Sequence, residues 1–266
     1  MSTELVRGKT TKILVLNPNS SKAMTDGLKG VIDSIDLSYS TEIYTYTAPE
    51  PSPASINDGK DLQHSCQTVL ADLQSRYHQS EFPYDGVLIA CYSVHPLVSC
   101  MQRAGAYSSS VTGIFEASVL AALSLLRDGD AWGIVTTGKW WEEHLANGVD
   151  SFLGAKARED PNPRFRGVES TGLNASDFHN GVDPAVVRQK LKEATQRLLA
   201  KGGVKVILMG CAGMAGLDTI IRSAASEAQG EKFAYSELHV IDGVRAGIMQ
   251  VEQMIKHQRL LPRQPS

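Results

Sequence analysis

Apolar runs alternate with amphipathic stretches along most of the chain, and this alternation predicts repeated strand–helix units. The run from Gly86 to Ala90 is apolar throughout, as expected of a parallel strand that is covered on both faces. Apolar residues at Met24, Leu28 and Val31 have the spacing of a helix that follows the first strand. We therefore predict strands at residues 12–17, 42–47, 86–90, 111–114, 131–136, 165–169, 204–209 and 239–241.

Capping residues and prolines mark where the predicted helices begin. Pro18-Asn-Ser-Ser offers capping side chains after the first strand, and Pro96 suits the first turn of a later helix. The segment Ala48-Pro-Glu-Pro-Ser-Pro-Ala predicts an extended loop, because proline lacks a backbone donor and disfavours helix in its predecessor. A polar loop is expected at 156–164. Further helices are predicted at residues 59–77, 116–126, 139–152, 184–200, 214–228 and 244–257.

The two halves of the chain repeat the same order of elements. Trp132 follows Ile13 by 119 residues at the start of similar strands, and Cys211 follows Cys91 by 120 residues. So constant an offset predicts a duplication. The fold class is therefore α/β with two similar lobes, each an open parallel four-stranded sheet flanked by helices and related by a pseudo-twofold axis. We assign residues 1–115 and 230–266 to lobe one and residues 116–229 to lobe two, so the last strand and helix should complete lobe one.

Composition narrows the possible partners of this protein. The chain has 266 residues, of which 42% are hydrophobic, enough to bury two compact cores. Its 26 basic and 29 acidic residues give a net charge of −3, which provides no basic field for nucleic acid or for an anionic membrane. The chain lacks an apolar leader and a run of about 20 apolar residues. We expect a cytoplasmic protein whose partner is a small molecule.

Cys91 and Cys211 each follow an apolar strand and precede a predicted helix. Parallel sheets bind ligands beyond the carboxyl ends of their strands, so both thiols are expected in a cleft between the lobes. Backbone N–H groups and the helix macrodipole at such positions favour thiolate. One thiolate can remove a proton from a carbon next to a carbonyl while the opposite thiol returns one, which inverts the stereocentre without a metal or organic cofactor. The alternative is that both cysteines are buried small hydrophobes.

Several motifs carry a family resemblance over nearly the whole chain. They are Ile-Leu-Val-Leu-Asn-Pro-Asn from Ile13, Cys91-Tyr-Ser-Val-His-Pro, Gly113-Ile-Phe-Glu-Ala, Gly210-Cys-Ala-Gly-Met and Val240-Ile-Asp-Gly-Val. Together they resemble the hydantoin racemase family of the aspartate/glutamate racemase superfamily, in particular its fungal, allantoin racemase-like branch near allantoin degradation in nitrogen metabolism. The resemblance implies the two-lobed fold of that superfamily, two-cysteine racemisation without a cofactor, a 5-substituted hydantoin such as allantoin as substrate, and a homo-oligomer.

The resemblance also implies roles for individual residues. Cys91 and Cys211 would be the catalytic acid/base pair, one for each face of C5 of the substrate. Asn17 and Gly213 stand where amino-acid racemases have an aspartate and a histidine, which favours a hydantoin ring over an amino acid because the ring C5 proton is already acidic. The implied substrate-binding residues are Asn17, Tyr92, Ser93, Val94, Thr136, Thr137, Ala212 and Gly213.

Other side chains allow both a functional and a structural interpretation. His95 would either relay a proton beside Cys91 or form a structural hydrogen bond. Glu116 would either bind an ammonium or ureido group or cap a helix. Trp140 and Trp141 would either roof the pocket or pack in the core. Packing is the favoured interpretation for the two remaining cysteines, Cys66 and Cys100.

Two other functions remain open from the sequence. Superfamily relatives that isomerise or decarboxylate small diacids use one cysteine as nucleophile or proton donor, and the presence of two cysteines argues against the decarboxylases. A non-catalytic ligand-binding protein would keep the cleft without turnover. Substrate profiling against maleate and arylmalonates separates the racemase from the diacid enzymes. Tight hydantoin binding without proton exchange at C5 indicates the non-catalytic protein.

Overall fold

The computed structural model describes residues 10–37, 40–77, 81–105, 107–108, 110–154, 162–178 and 182–261. Within these ranges strands and helices alternate, as the apolar pattern predicts. The strands are β1 (Thr11–Asn17), β2 (Thr41–Thr47), β3 (Gly86–Ile89), β4 (Ser110–Gly113), β5 (Ala131–Thr136), β6 (Phe165–Ser170), β7 (Val204–Gly210) and β8 (His239–Asp242). The helices are α1 (Lys22–Asp33), α2 (Gly59–Tyr77), α3 (Pro96–Ala104), α4 (Ile114–Leu125), α5 (Trp140–Leu153), α6 (Pro184–Ala200), α7 (Asp218–Gln229) and α8 (Gly243–Gln258).

The strands form two parallel sheets with the same topology. The first sheet has the order β2-β1-β3-β4, and the second has the order β6-β5-β7-β8. Each strand pairs in parallel with its neighbours. The predicted fold class is confirmed, and the shared strand order is that of a structural repeat in which β3 corresponds to β7.

The placement of the last strand in lobe one is wrong. Ile241 of β8 pairs with Leu208 of β7, so β8 is the edge strand of the second sheet. This position is the repeat counterpart of β4, which pairs with β3 at the edge of the first sheet. Lobe two therefore extends beyond residue 229, and its sheet ends at Asp242.

The two helices that follow the edge strands cross to the opposite sheet. Helix α4 leaves the first sheet and packs against β7 and β8, whereas α8 leaves the second sheet and packs against β1, β3 and β4. The two helices also pack on each other. A Cβ on Gly247 of α8 would lie 2.5 Å from Leu88 Cδ1 of β3, so the missing side chain permits this close approach. The sequence analysis assigns this final helix to lobe one, and α8 does contact the strands of the first sheet.

Most element boundaries follow the sequence pattern, and the exceptions have local causes. The helix predicted to begin at Met214 begins at Asp218, because the chain first forms a 3₁₀ turn at Ala212–Met214. The pattern also misses a 3₁₀ turn at Ala175–Phe178 and a π-helical turn at Phe233–Glu237. Most of the predicted 156–164 loop lies outside the described residues. No helix in the described part of the chain has the length and apolar character needed to cross a membrane.

The lobes share a packed contact near the end of β3. Gly148 of α5 faces Val94 and Phe115 of lobe one, and a Cβ on it would lie 2.6 Å from Val94 Cγ2 and 3.1 Å from Phe115 Cζ. Phe115 is fully buried within an apolar core that includes side chains from both sheets. Close packing of this kind holds the two sheets at a fixed separation.

Candidate active site

Two equivalent strand ends deliver the cysteines to one cavity. Strand β3 ends at Ile89, two residues before Cys91, and β7 ends at Gly210, directly before Cys211. A Cβ on Gly210 would lie 2.7 Å from Ile134 Cγ2 and 2.8 Å from the Val135 carbonyl oxygen. A glycine is therefore required where β7 passes β5, and it lets β7 present Cys211 at the carboxyl end of the sheet.

The cavity between the sheets is small, and the described residues that line it are uncharged. It has an empty volume of about 350 Å³, part of which is open to solvent. Among the described residues, no cluster of three His, Cys, Asp or Glu side chains has an arrangement suited to a metal ion. The lining residues are Asn19, Met24, Ile56, Ala90, Cys91, Tyr92, Thr137, Trp141, Ala175, Gly210, Cys211 and Ala212.

Each sulfur accepts hydrogen bonds from groups close to it in the sequence. The Ser93 hydroxyl donates to Cys91 Sγ at 3.4 Å, and the Gly213 backbone N–H donates to Cys211 Sγ at 3.3 Å. Cys211 thereby caps the 3₁₀ turn at Ala212–Met214. Donors of this kind stabilise a thiolate more than a thiol.

Burial nevertheless keeps both sulfurs protonated at neutral pH. Burial raises the pKa of Cys91 to about 12 and the pKa of Cys211 to about 11. The Ser93 hydroxyl lowers the first pKa, whereas the neighbouring Cys211 raises it. The expectation that the strand ends favour thiolate is therefore wrong: α3 begins only at Pro96, and burial outweighs the local donors.

The predicted substrate-binding residues divide into two groups. Tyr92, Thr137 and Ala212 line the cavity beside the cysteines. The Tyr92 hydroxyl lies 2.7 Å from Ser118 Oγ, which fixes the ring against α4. These three residues are therefore placed to contact a ligand, and that role stays a prediction.

The remaining predicted residues lie behind the lining. Thr136 Oγ1 donates to the Gly210 carbonyl oxygen at 2.7 Å and so fixes the strand end before Cys211. Val94 is 43% exposed, is not among the cavity-lining residues and lies next to Gly148 of α5. The Asn17 amide donates to Asn19 Oδ1 at 2.9 Å and to Thr25 Oγ1 at 3.0 Å. Asn17 thus stabilises the loop that follows β1. Ser93 and Gly213 donate hydrogen bonds to the cysteine sulfurs.

Sequence reasoning missed several residues that line the cavity. Asn19 lies in the same Asn-Pro-Asn-Ser-Ser segment as Asn17 and gives the same sequence signal, a polar residue after a strand. Met24 follows on α1, and Ile56 comes from the proline-rich loop before α2. Ala175 belongs to the unpredicted 3₁₀ turn, and no pattern in the sequence indicates its position.

His95 has a structural position in this site. It caps α3, where its Nδ1 accepts from the Leu97 backbone N–H at 3.2 Å, and its Nε2 lies 3.1 Å from Ser65 Oγ. Burial lowers the pKa of His95 to about 3. The ring is therefore neutral at physiological pH and both of its nitrogens are engaged.

Glu116 lies in the first turn of α4, outside the cavity lining. Burial raises its pKa to about 7, while hydrogen bonds from its own backbone N–H and from that of Gly113 oppose the shift. Among the described residues, no group donates a hydrogen bond to Glu116 Oε2. The capping interpretation accounts for its backbone contacts.

The remaining aromatic and sulfur side chains also have defined positions. Trp141 lines the cavity, whereas Trp140 is 42% exposed and stacks on His144 with ring centroids 4.6 Å apart. Cys66 is buried and packs with Cys100 in the core of lobe one. All four cysteines are free thiols.

Comparisons with known proteins place the chain in a family. Residues 13–251 match the Asp/Glu/Hydantoin racemase family. The chain is 30% identical to an uncharacterized protein of Schizosaccharomyces pombe over 92% of each chain. It is 27% identical to a hydantoin racemase of Pseudomonas sp. (strain NS671), over 92% of this chain and 86% of that one. Allantoin racemase from Klebsiella pneumoniae has a similar fold, with a TM-score of 0.74 and 23% identity over 94% of this chain and 89% of that one. The chain therefore belongs to the Asp/Glu/hydantoin racemase family and is an isomerase.

Proposed function

We propose that this protein is a cofactor-independent racemase that inverts C5 of a hydantoin-type ring, with allantoin as the favoured substrate. The observation that supports this most directly is the pair of free thiols at equivalent ends of two repeated sheets, both on one cavity. Two groups that exchange protons with opposite faces of a carbon are the minimum needed to invert it.

The reaction transfers one proton from substrate to enzyme and another from enzyme to substrate. A thiolate on one side takes the C5 proton, and the electrons of the C–H bond move onto the neighbouring carbonyl oxygen to form an enolate. The opposite thiol then donates its proton to the other face of C5. The first cysteine ends as a thiol and the second as a thiolate, so the charge of the pair is conserved.

The uncharged lining favours a neutral ring over a charged substrate. An amino acid carries a carboxylate and an ammonium, and a diacid carries two carboxylates, and each charge needs a partner when it leaves water. Among the described residues, none that lines the cavity has a charged side chain. A hydantoin is neutral, and its carbonyl and N–H groups need only hydrogen bonds. This observation argues against the diacid isomerase and decarboxylase alternatives.

Isotope exchange in single-cysteine variants tests the mechanism. In heavy water the unmodified protein should invert enantiopure allantoin or another 5-substituted hydantoin and introduce deuterium at C5. Cys91→Ser and Cys211→Ser should both abolish inversion, because each variant lacks one of the two proton donors. Each should retain slow exchange, without inversion, for only one enantiomer, and the two variants should prefer opposite enantiomers.

The controls separate the competing functions. Cys100→Ser keeps both cavity thiols and should racemise normally, and a reaction without enzyme measures spontaneous exchange. Inversion that persists in Cys211→Ser contradicts the two-cysteine mechanism. Binding of the ring without exchange at C5 in the unmodified protein indicates a non-catalytic ligand-binding function. The homo-oligomer and the cytoplasmic location stay predictions.

A further inference from the structure

We propose that Asn19 stabilises the enolate in this site by donating its side-chain amide N–H to the ring carbonyl next to C5, where negative charge develops. The inference rests on the proposed function and adds the group that holds the enolate oxygen. Asn19 lines the cavity, is 5% exposed and lies on the loop between β1 and α1.

Neighbouring groups fix the orientation of the Asn19 amide. Its Oδ1 accepts from the Ser21 backbone N–H at 3.0 Å and from Asn17 Nδ2 at 2.9 Å. A backbone N–H is only a donor, so the atom that faces Ser21 must be the oxygen. Asn17 is oriented in turn, because its Oδ1 accepts from the Asn19 backbone N–H at 3.2 Å. The amide nitrogen of Asn19 therefore points away from the loop.

The hydrogen-bond partner of that nitrogen within the protein is weak. Asn19 Nδ2 lies 3.4 Å from Met24 Sδ, and a thioether sulfur is a poor hydrogen-bond acceptor. Within the described residues, the Met24 sulfur is the acceptor of the Asn19 side-chain amide, which has two N–H groups to donate. Met24 also lines the cavity. A carbonyl oxygen of a ligand would supply the acceptor that the buried amide lacks.

Charge development during the reaction gives this donor a catalytic effect. Removal of the C5 proton places negative charge on the adjacent carbonyl oxygen, and the lining that the structure describes contributes no cation to offset it. The backbone N–H of Gly213 already donates to Cys211 Sγ. A preorganised amide donor strengthens as the charge grows, and loss of one such donor lowers kcat by about 10²–10³-fold.

Two substitutions of Asn19 test the proposal. Asn19→Asp keeps an oxygen for Ser21 and Asn17 but removes the donor, and Asn19→Ala removes the donor without adding charge. Both should lower kcat by about 10²–10³-fold while KM changes less, because the bond strengthens in the transition state. Asn147→Asp alters an exposed amide on α5 and is the matched control for the charge change. A kcat for Asn19→Ala within threefold of the unmodified protein overturns the inference.

Sulfur-substituted substrates separate ligand contact from a purely structural role. A 5-substituted hydantoin is compared with its 4-thioxo and 2-thioxo analogues, since sulfur accepts hydrogen bonds weakly. The unmodified protein should have a lower kcat for the 4-thioxo analogue than for the oxo substrate, because the sulfur replaces the oxygen that Asn19 contacts. Asn19→Ala should cause little further loss of kcat for the 4-thioxo analogue. If Asn19→Ala lowers kcat equally for the oxo and 4-thioxo substrates, Asn19 does not contact the carbonyl next to C5. If its effect on kcat disappears for the 2-thioxo analogue instead, Asn19 contacts the other carbonyl.

The same measurements distinguish failure of this inference from failure of the proposed function. Inversion of the oxo substrate by the unmodified protein tests the racemase. The ratio of variant to unmodified rates tests Asn19. Normal inversion with unchanged Asn19 variants rejects the inference alone, whereas absence of exchange in the unmodified protein rejects the function on which it rests.

Discussion

Replacement of Ser93 by alanine tests how this site generates a thiolate from a buried cysteine. The Ser93 hydroxyl donates to Cys91 Sγ at 3.4 Å and lowers the pKa of that thiol, which burial raises to about 12. A hydrogen bond to a charged group contributes about 1.5–3 kcal/mol, which corresponds to about one to two pKa units. Ser93→Ala should therefore reduce the thiolate fraction of Cys91 by about 10- to 100-fold at any pH below the pKa.

The assay is the pH dependence of kcat/KM for enantiopure 5-substituted hydantoin, followed by loss of optical rotation. Because the pKa values of Cys211 and Cys91 are about 11 and about 12, the thiolate fraction rises about tenfold per unit between pH 6 and 9. The unmodified protein should follow this slope, and Ser93→Ala should give a parallel line about 10- to 100-fold lower. The two enantiomers have the same free energy in water, so the equilibrium constant between them is 1. The value of kcat/KM must therefore fall by the same factor in both directions.

The matched control is a serine in the same region that does not contact a sulfur. Ser99 Oγ donates to the Pro96 carbonyl oxygen at 3.1 Å on α3, and Ser99→Ala should leave kcat/KM unchanged. If Ser93→Ala coincides with this control, the hydroxyl does not stabilise the thiolate. A profile that is flat from pH 6 to 9 in the unmodified protein contradicts the raised thiol pKa values.

Two further predictions concern stability. The pKa of His95 is about 3 in the folded protein against 6.5 for the free side chain, so between these pH values the unfolded state binds one more proton. The free energy of unfolding should therefore fall by about 1.4 kcal/mol for each pH unit below 6.5 until pH reaches about 3. His95→Asn retains an N-cap and should remove this component from acid unfolding curves, and curves identical to those of the unmodified protein would contradict the prediction. Gly148→Ala brings a Cβ to 2.6 Å from Val94 Cγ2 and should lower the free energy of unfolding by about 1–2 kcal/mol in urea titrations. The control is Gly30→Ala on α1, whose Cβ meets no atom within 4 Å and which should raise the free energy of unfolding by about 0.5–1 kcal/mol. A rise for both variants would contradict the contact between the lobes.

Local patterns predicted most elements because they arise from local causes. Strand β5 and helices α2 and α6 have the predicted bounds, since each has a clear apolar period and a proline, glycine or capping residue at its start. The position of β8 is different. Its sequence shows a strand but not a partner, and pairing with β7 depends on contacts between residues that are distant in the chain.

The candidate site shows the same division between local and tertiary information. The strand ends before Cys91 and Cys211 are legible in the sequence, and the repeat relates them. Composition and spacing do not show that Asn19 faces the cavity while Asn17 faces the loop, because this choice depends on bonds to Ser21 and Thr25. The sequence also does not show the raised thiol pKa values, since burial in the interlobe cleft is a tertiary property.

The exchange of α4 and α8 makes the two halves of the chain interdependent. The helix that shields one sheet is the continuation of a strand in the other, so neither half can bury its own apolar surface in isolation. Unfolding of either half uncovers both, and the molecule should lose structure in one cooperative event despite its duplicated plan. The placement of the two sulfurs across the cleft thereby depends on the global stability of the fold.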